Sequence, residues 1–335
     1  MSNSLNPVRE CHTVDSDIFD NDIVPAGQPV IMRALVKHWP AVAAGLRSRG
    51  DLFAYLGQYA TDEPVKLFLG PPNIEGMFFY NQSMSGFNFE HRKGAFRSIL
   101  ARLEKMQDTP KPAAIYMGAT KIAGALPGFD ADNTLNLVDK TVQPNIWIGN
   151  AVNIPAHFDT SENIACSVAG RRRFTLFPPN QIKNLYVGPI DHTPAGQPIS
   201  LASLQAPDFE RHPRYEEALK HALVADLEPG DALYIPPLWW HNVESFDSVN
   251  ILVNYWWEHL TELTGSPMHA LVHAILTIGH LPPVQRRAWQ DYFEHYVFSE
   301  DNPAAHIPLE RRGALSPLSP KLARYLQNYL KQVGL

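Results

Sequence analysis

The sequence predicts a mainly β protein with flanking helices: a sandwich or barrel, an α/β segment before it and a helical segment after it. Three observations carry that prediction. From Asn145 to about Trp257, short β-branched and aromatic runs alternate with turn clusters. Upstream, strand-like and helix-like patterns take turns. Downstream, Ser266-Pro267, Pro282-Pro283 and Ser319-Pro320 each precede apolar residues at helical spacing, with proline suited to a first helical turn. The expected organisation is residues 1–144 as an α/β segment packed on the barrel, 145–258 as the barrel core and 259–335 as a helical segment.

Length and composition bound the problem. The chain has 335 residues, enough for one large domain or two. Hydrophobic content of 45% and charged content of 19% suit a soluble globular protein. A net charge of −6 argues against bulk nucleic-acid binding, which needs a positive field. Cys11 and Cys166 can form at most one bridge, and Cys166 sits in an apolar run as a small core residue. The start of the chain lacks a signal-peptide pattern, and no apolar run approaches the roughly 18 residues of a membrane span. The expectation is a cytoplasmic protein with no membrane contact.

The elements follow in order. Residues 1–24 are polar and are expected to wrap loosely on the body. Residues 28–33 read as a strand, and Pro40 opens a helix to about Arg47. Asp51 caps a helix to about Tyr59. Residues 65–69 alternate as a strand, and Met77 to Tyr80 reads as another. Phe96, Ile99, Leu100 and Leu103 mark an amphipathic helix over 94–106. Ala114 to Met117 is a strand, and 123–138 is ambiguous. The Pro- and Gly-rich stretch 187–222 interrupts the barrel and carries a helix from Pro213 to Leu223.

Two segments carry chemistry. In Pro155-Ala156-His157-Phe158-Asp159, the imidazole and carboxylate are two residues apart, so a strand would aim both at one point. By itself the pair fits a surface turn as well as a metal site. The second segment is Glu228-Pro229-Gly230-Asp231-Ala232-Leu233-Tyr234-Ile235-Pro236-Pro237-Leu238-Trp239-Trp240-His241. Its Pro-Gly-Asp turn leads into a strand, prolines end the ladder, and His241 follows beside bulky aromatics. His241 alone fits a core histidine. With His157 and Asp159 it completes a two-histidine, one-carboxylate set of the kind that holds Fe(II) with open positions.

These segments, with Gly170, Phe177-Pro178-Pro179, Pro207 to Arg211 and Val253-Asn254-Tyr255-Trp256, resemble the cupin-like JmjC family of Fe(II)/2-oxoglutarate-dependent oxygenases, and its asparaginyl-hydroxylase branch in particular. The resemblance spans roughly 28–258. It implies a double-stranded β-helix (a cupin or jelly-roll core) with the C-terminal helical segment outside it. It also implies His157, Asp159 and His241 as iron ligands, and 2-oxoglutarate and O2 as co-substrates giving succinate and CO2. Arg172 falls where the family has a lysine for the co-substrate's distal carboxylate. An arginine keeps the charge and can bind bidentately. Strand parity favours Arg172 over its neighbours, because it shares a face with Phe174 and Leu176. Tyr116 matches the tyrosine at that carboxylate, while Asn163, Asn254 and Trp256 match pocket residues. Ile154 departs from the pattern, since the branch has a hydroxyl there.

The implied activity is hydroxylation of a protein or peptide side chain, preferred over lysine demethylation. The same chemistry on a small molecule, a metal-binding cupin that does not use 2-oxoglutarate, and a non-catalytic cupin remain alternatives. The related hydroxylase implies a homodimer through the C-terminal helices. His269 and His273 share a helix face without the glutamate of a metalloprotease motif. No Gly-x-Ser-x-Gly elbow is present.

Overall fold

The computed structural model describes residues 5–258 and 261–332. The chain falls into two compact units, Met1–Trp257 and Glu258–Leu335. Among the described residues, the first contains fourteen strands in two mixed sheets. In chain order they are β1 (Asn6–Pro7), β2 (Arg9–Cys11), β3 (Val30–Met32), β4 (Pro64–Gly70), β5 (Glu90–Ala95), β6 (Ala114–Lys121), β7 (Pro144–Gly149), β8 (Asn153–His157), β9 (Glu162–Ala169), β10 (Arg172–Phe177), β11 (Leu223–Leu227), β12 (Ala232–Ile235), β13 (Trp240–Ser245) and β14 (Asn250–Trp257).

The last eight strands divide evenly between the two sheets, with β10 and β11 following each other in the smaller one. β7, β9, β12 and β14 lie in one sheet as β12-β9-β14-β7, and β8, β10, β11 and β13 in the other as β11-β10-β13-β8. Every neighbouring pair within these two sets is antiparallel. This is the double-stranded β-helix of a cupin. The apolar runs explain it: every residue of β9 and β12 is buried, and six of the eight in β14 are. A strand buried on both faces needs a sheet partner on each edge and a layer on each side.

The N-terminal part extends this barrel. β6, β4 and β5 continue the larger sheet beyond β7, and β3 and β2 continue it beyond β12. The helices Pro40–Arg47, Arg49–Tyr59 and Phe96–Met106 bury their apolar faces in the main core.

Several local expectations need correction. Residues 5–24, the described part of the polar start, are not a loose wrap. β1 pairs in parallel with β11 and β2 with β3, while Phe19 and Ile23, one helical turn apart, are fully buried. Met77 to Tyr80 forms only the isolated bridges Met77–Asn153 and Tyr80–Phe87. β5 went unread because its Glu-His-Arg-Lys sequence is exposed on both faces, as an edge strand can be. The helix after Arg49 is capped by the Ser48 hydroxyl, which accepts from the Asp51 amide, so Asp51 sits in the first turn. The helix expected over 213–223 spans only Tyr215–Lys220, and Leu223 opens β11.

The second unit is helical, with Pro267–Thr277, Pro283–Phe293 and Pro320–Gln332 beginning at the expected prolines. The Ser266 hydroxyl caps the first by accepting from the Met268 amide. Among the described residues, no helix is long and apolar enough to cross a membrane.

Candidate metal centre and its cavity

β8 ends at His157, and β13 begins one residue before His241. The antiparallel register sets the two histidines directly opposite each other, with ring centroids 4.3 Å apart. Asp159 lies two residues beyond the end of β8, and its Oδ2 is 3.7 Å from His241 Nε2. One ligand atom from each of the three residues lies within 4.8 Å of the others. A β-bulge between His241 and Val243 interrupts the pairing at this point. Bulges next to sites re-aim side chains in this way. The turn before β13 holds Leu238 at φ +64, and its amide donates to the Asp159 carbonyl at 2.8 Å. That bond ties the loop carrying the carboxylate to the turn delivering the second histidine.

Both imidazoles are oriented by their own backbone. His157 Nδ1 is 2.9 Å from the Pro155 carbonyl and His241 Nδ1 is 3.0 Å from the Trp239 carbonyl. A carbonyl only accepts, so each Nδ1 carries the proton and each Nε2 keeps its lone pair. Burial and the neighbouring His157 push the His241 pKa down to about 4, against the opposing pull of Asp159. His241 is therefore neutral near pH 7, the state a metal ligand requires. Two imidazole nitrogens and a carboxylate suit Fe(II) with open positions.

The triad lines a cavity of about 710 Å³, within the roughly 300–1000 Å³ of small-molecule sites. Tyr116, Asn163, Arg172, Asn254 and Trp256 line the same cavity, as does Ile154. Arg172, the first residue of β10, is only 2% exposed, and none of its three guanidinium nitrogens has a partner. Burial without an ionic partner lowers its pKa from the ordinary arginine value. An unpaired buried cation is costly, by several kcal/mol or more. The Trp256 indole N–H is also buried without an acceptor. The Tyr116 phenol is pushed up to about 12 by burial, so it remains a donor. These donors fit an anionic, acceptor-rich ligand, and together with the His/Asp/His set they fit a metal-chelating dicarboxylate.

The two asparagines are linked: Asn254 Nδ2 donates to Asn163 Oδ1 at 3.1 Å, and Trp147 Nε1 donates to Asn254 Oδ1 at 2.7 Å. Trp147 escaped the sequence reading. Its signal was its place in the alternating Asn145-Ile146-Trp147-Ile148 run, where it faces opposite to the buried Ile146 and Ile148. Asn242 also escaped. Its amide donates to Asn153 Oδ1 at 2.9 Å and to the Ile154 carbonyl at 2.8 Å, bracing β8. Trp239, one of the bulky aromatics before His241, is buried, with its indole donating to the Gly27 carbonyl at 3.1 Å.

A double-stranded β-helix carrying a His/Asp/His cluster at one end of an open cavity defines a cupin of the metal-binding class. Residues 15–262 match the cupin-like domain family. The chain belongs to this cupin-like, JmjC-type family of 2-oxoglutarate-dependent oxygenases. Among its relatives, HSPB1-associated protein 1 of Homo sapiens is 34% identical over 153 residues, 44% of this chain and 30% of that protein. Jumonji C domain-containing protein 5 of Drosophila melanogaster is 27% identical over 250 residues, 72% of this chain and 57% of that one. Lysine-specific demethylase JMJ31 of Arabidopsis thaliana is 35% identical over 126 residues, 37% of this chain and 22% of that one. The matches thus span from about a fifth to just over half of these relatives' lengths. The solved structure of E. coli ycfD aligns with 96% of this chain and 68% of its own, at 15% identity and a TM-score of 0.44.

Proposed function

We propose that the protein is an Fe(II)- and 2-oxoglutarate-dependent oxygenase that hydroxylates a protein or peptide side chain. The observation that carries this reading is Arg172, a buried cation without a partner in the same cavity as the triad. His157 Nε2, His241 Nε2 and an Asp159 carboxylate oxygen would hold the metal. Arg172 would receive the distal carboxylate of 2-oxoglutarate through its planar fork. The Tyr116 phenol and the Trp256 indole offer further donors, while the Trp147–Asn254–Asn163 chain keeps the cavity wall in one arrangement. When bound, iron would activate O2, the oxidant, while 2-oxoglutarate would supply two electrons and leave as succinate and CO2. The apolar part of the wall, including Ile154, Phe174 and Leu252, lowers the polarity around the reacting centre. A macromolecular substrate is supported by the relatives, one named for its association with HSPB1 and one as a lysine-specific demethylase.

The test is anaerobic loading with Fe(II) and 2-oxoglutarate followed by oxygen, with succinate as the readout. Turnover that disappears in His157→Ala supports the reading. Absence of both turnover and 2-oxoglutarate binding overturns it.

We also propose a homodimer through the C-terminal helices. Leu271, Val272, Ile275 and Leu276 on one helix, and Trp289 and Tyr292 on the next, are more than 40% exposed, an apolar area of the kind that marks an interaction surface. Light scattering should give twice the chain mass, and Leu276→Glu should reduce it. A wild-type monomer at micromolar concentration would end this proposal.

A further inference from the structure

Beyond the metal triad, Arg172 and Tyr116, the titratable side chains lining the cavity are Lys66 and His91. Both stand exposed at its rim, on β4 and β5. The antiparallel register of these strands sets Phe68 opposite His91 and Lys66 opposite Lys93. Alternate residues share a face, so Lys66, Phe68, His91 and Lys93 form one patch. The ring of Phe68 meets His91 edge-on at 4.8 Å.

This patch is electrostatically unbalanced. Like charges directly opposite each other across a strand pair are destabilising. Among the described residues, neither Lys66 nor Lys93 forms an ion pair, while Arg92 on the other face of β5 pairs with Glu90. The chain as a whole carries a net charge of −6, so the concentration is local. Protection of an exposed sheet edge accounts for basic residues on β5, the last strand of its sheet. It does not account for Lys66, which is on the penultimate strand and faces the cavity. Burial together with nearby Lys66 lowers the His91 pKa, so His91 is a neutral aromatic surface near pH 7.

We infer that the substrate is an acidic peptide segment, which sets an Asp or Glu carboxylate against Lys66 and Lys93 and rests on Phe68 and His91 while its target side chain enters the cavity. A basic segment would bring like charge to the same rim. The inference rests on the proposed oxygenase function and names its substrate class.

The test uses the full chain loaded with Mn(II), which does not turn over, and two fluorescent peptide libraries. Both are degenerate at the central residue; one has Asp/Glu flanks and the other Lys/Arg flanks. Calorimetric titration of 2-oxoglutarate is run first and reports on the site reading alone. If 2-oxoglutarate binds, the acidic library should bind roughly tenfold more tightly than the basic one at low salt, with the difference shrinking as salt rises. Lys66→Glu should erase or invert the preference and Lys66→Arg should retain it, with circular dichroism melts verifying the fold of each. Binding of 2-oxoglutarate with equal or reversed library affinities would overturn the acidic-peptide inference and leave the oxygenase reading standing. No 2-oxoglutarate binding would remove both.

Discussion

Arg172 sits between two outward-facing arginines that are both satisfied. Arg171 engages Asp247 through its amide at 2.7 Å and its guanidinium at 3.1 Å, and Arg173 forms a two-point pair with Asp226 at 2.7 and 2.9 Å. Three arginines in a row thus divide by strand parity, one inward and two outward. That division was readable from the sequence because Arg172 alternates in step with Phe174 and Leu176, both buried. The Trp147–Asn254–Asn163 chain was not readable, since it depends on strand pairs that join residues about a hundred positions apart. The unpaired guanidinium has a consequence for stability. Arg172→Met should raise the unfolding free energy of the ligand-free protein by roughly 1–4 kcal/mol, because a buried unpaired charge is removed. The same variant should lose roughly a hundredfold or more in 2-oxoglutarate affinity. Thermal melts with and without 2-oxoglutarate check both: the wild type should gain from the ligand, and the variant should start higher and gain nothing.

At the scale of elements, the strands that build the site were legible and their flanks were not. β12 and the helix Pro40–Arg47 lie where their residue patterns put them. Residues 5–24 misled because their polar composition hides two anchors. Phe19 is 1% exposed and meets Tyr234 of β12 edge-on at 5.6 Å. Phe19→Ala should therefore cost about 3–5 kcal/mol in denaturant unfolding; a loss below about 1 kcal/mol would mean the segment only drapes over the barrel. Charge fixes the start of β10. Hydrogen bonds and charge from Arg171 hold the Asp247 carboxyl below its usual pKa. Its stabilising contribution is present above the unfolded carboxyl pKa of about 4 and is lost as pH falls through the folded value. The stability difference between wild type and Asp247→Asn should accordingly be largest at neutral pH and vanish toward pH 2. A difference that persists at that acidity would point to shape rather than charge.

For the whole molecule, the double-stranded β-helix brings together residues that the sequence keeps apart. His157 and His241 meet because the chain passes through the other sheet and returns, which sets β13 beside β8. The spacing within His157-Phe158-Asp159 indicated convergence of two groups. The third required recognising the turn-strand-turn context before His241. The barrel's cavity is lined by the buried Arg172 and, at its rim, by Lys66.

The position of β8 within its sheet has one more consequence. Among the described residues it is an outermost strand, paired along its length only with β13 and touched on its free side by the single-residue bridges Met77–Asn153 and His157–Ile199. A metal held by His157, Asp159 and His241 would act as a rivet, joining that border strand to an interior one. Chelator-treated protein should then exchange the backbone amides of Asn153–His157 for deuterium faster than metal-loaded protein does, while β9 and β14, enclosed in the other sheet, should exchange equally slowly in both. Handling the protein without metal would thus first loosen a strand border open to pairing with other chains, so losses to aggregation during purification should track chelator concentration before any change in melting of the core.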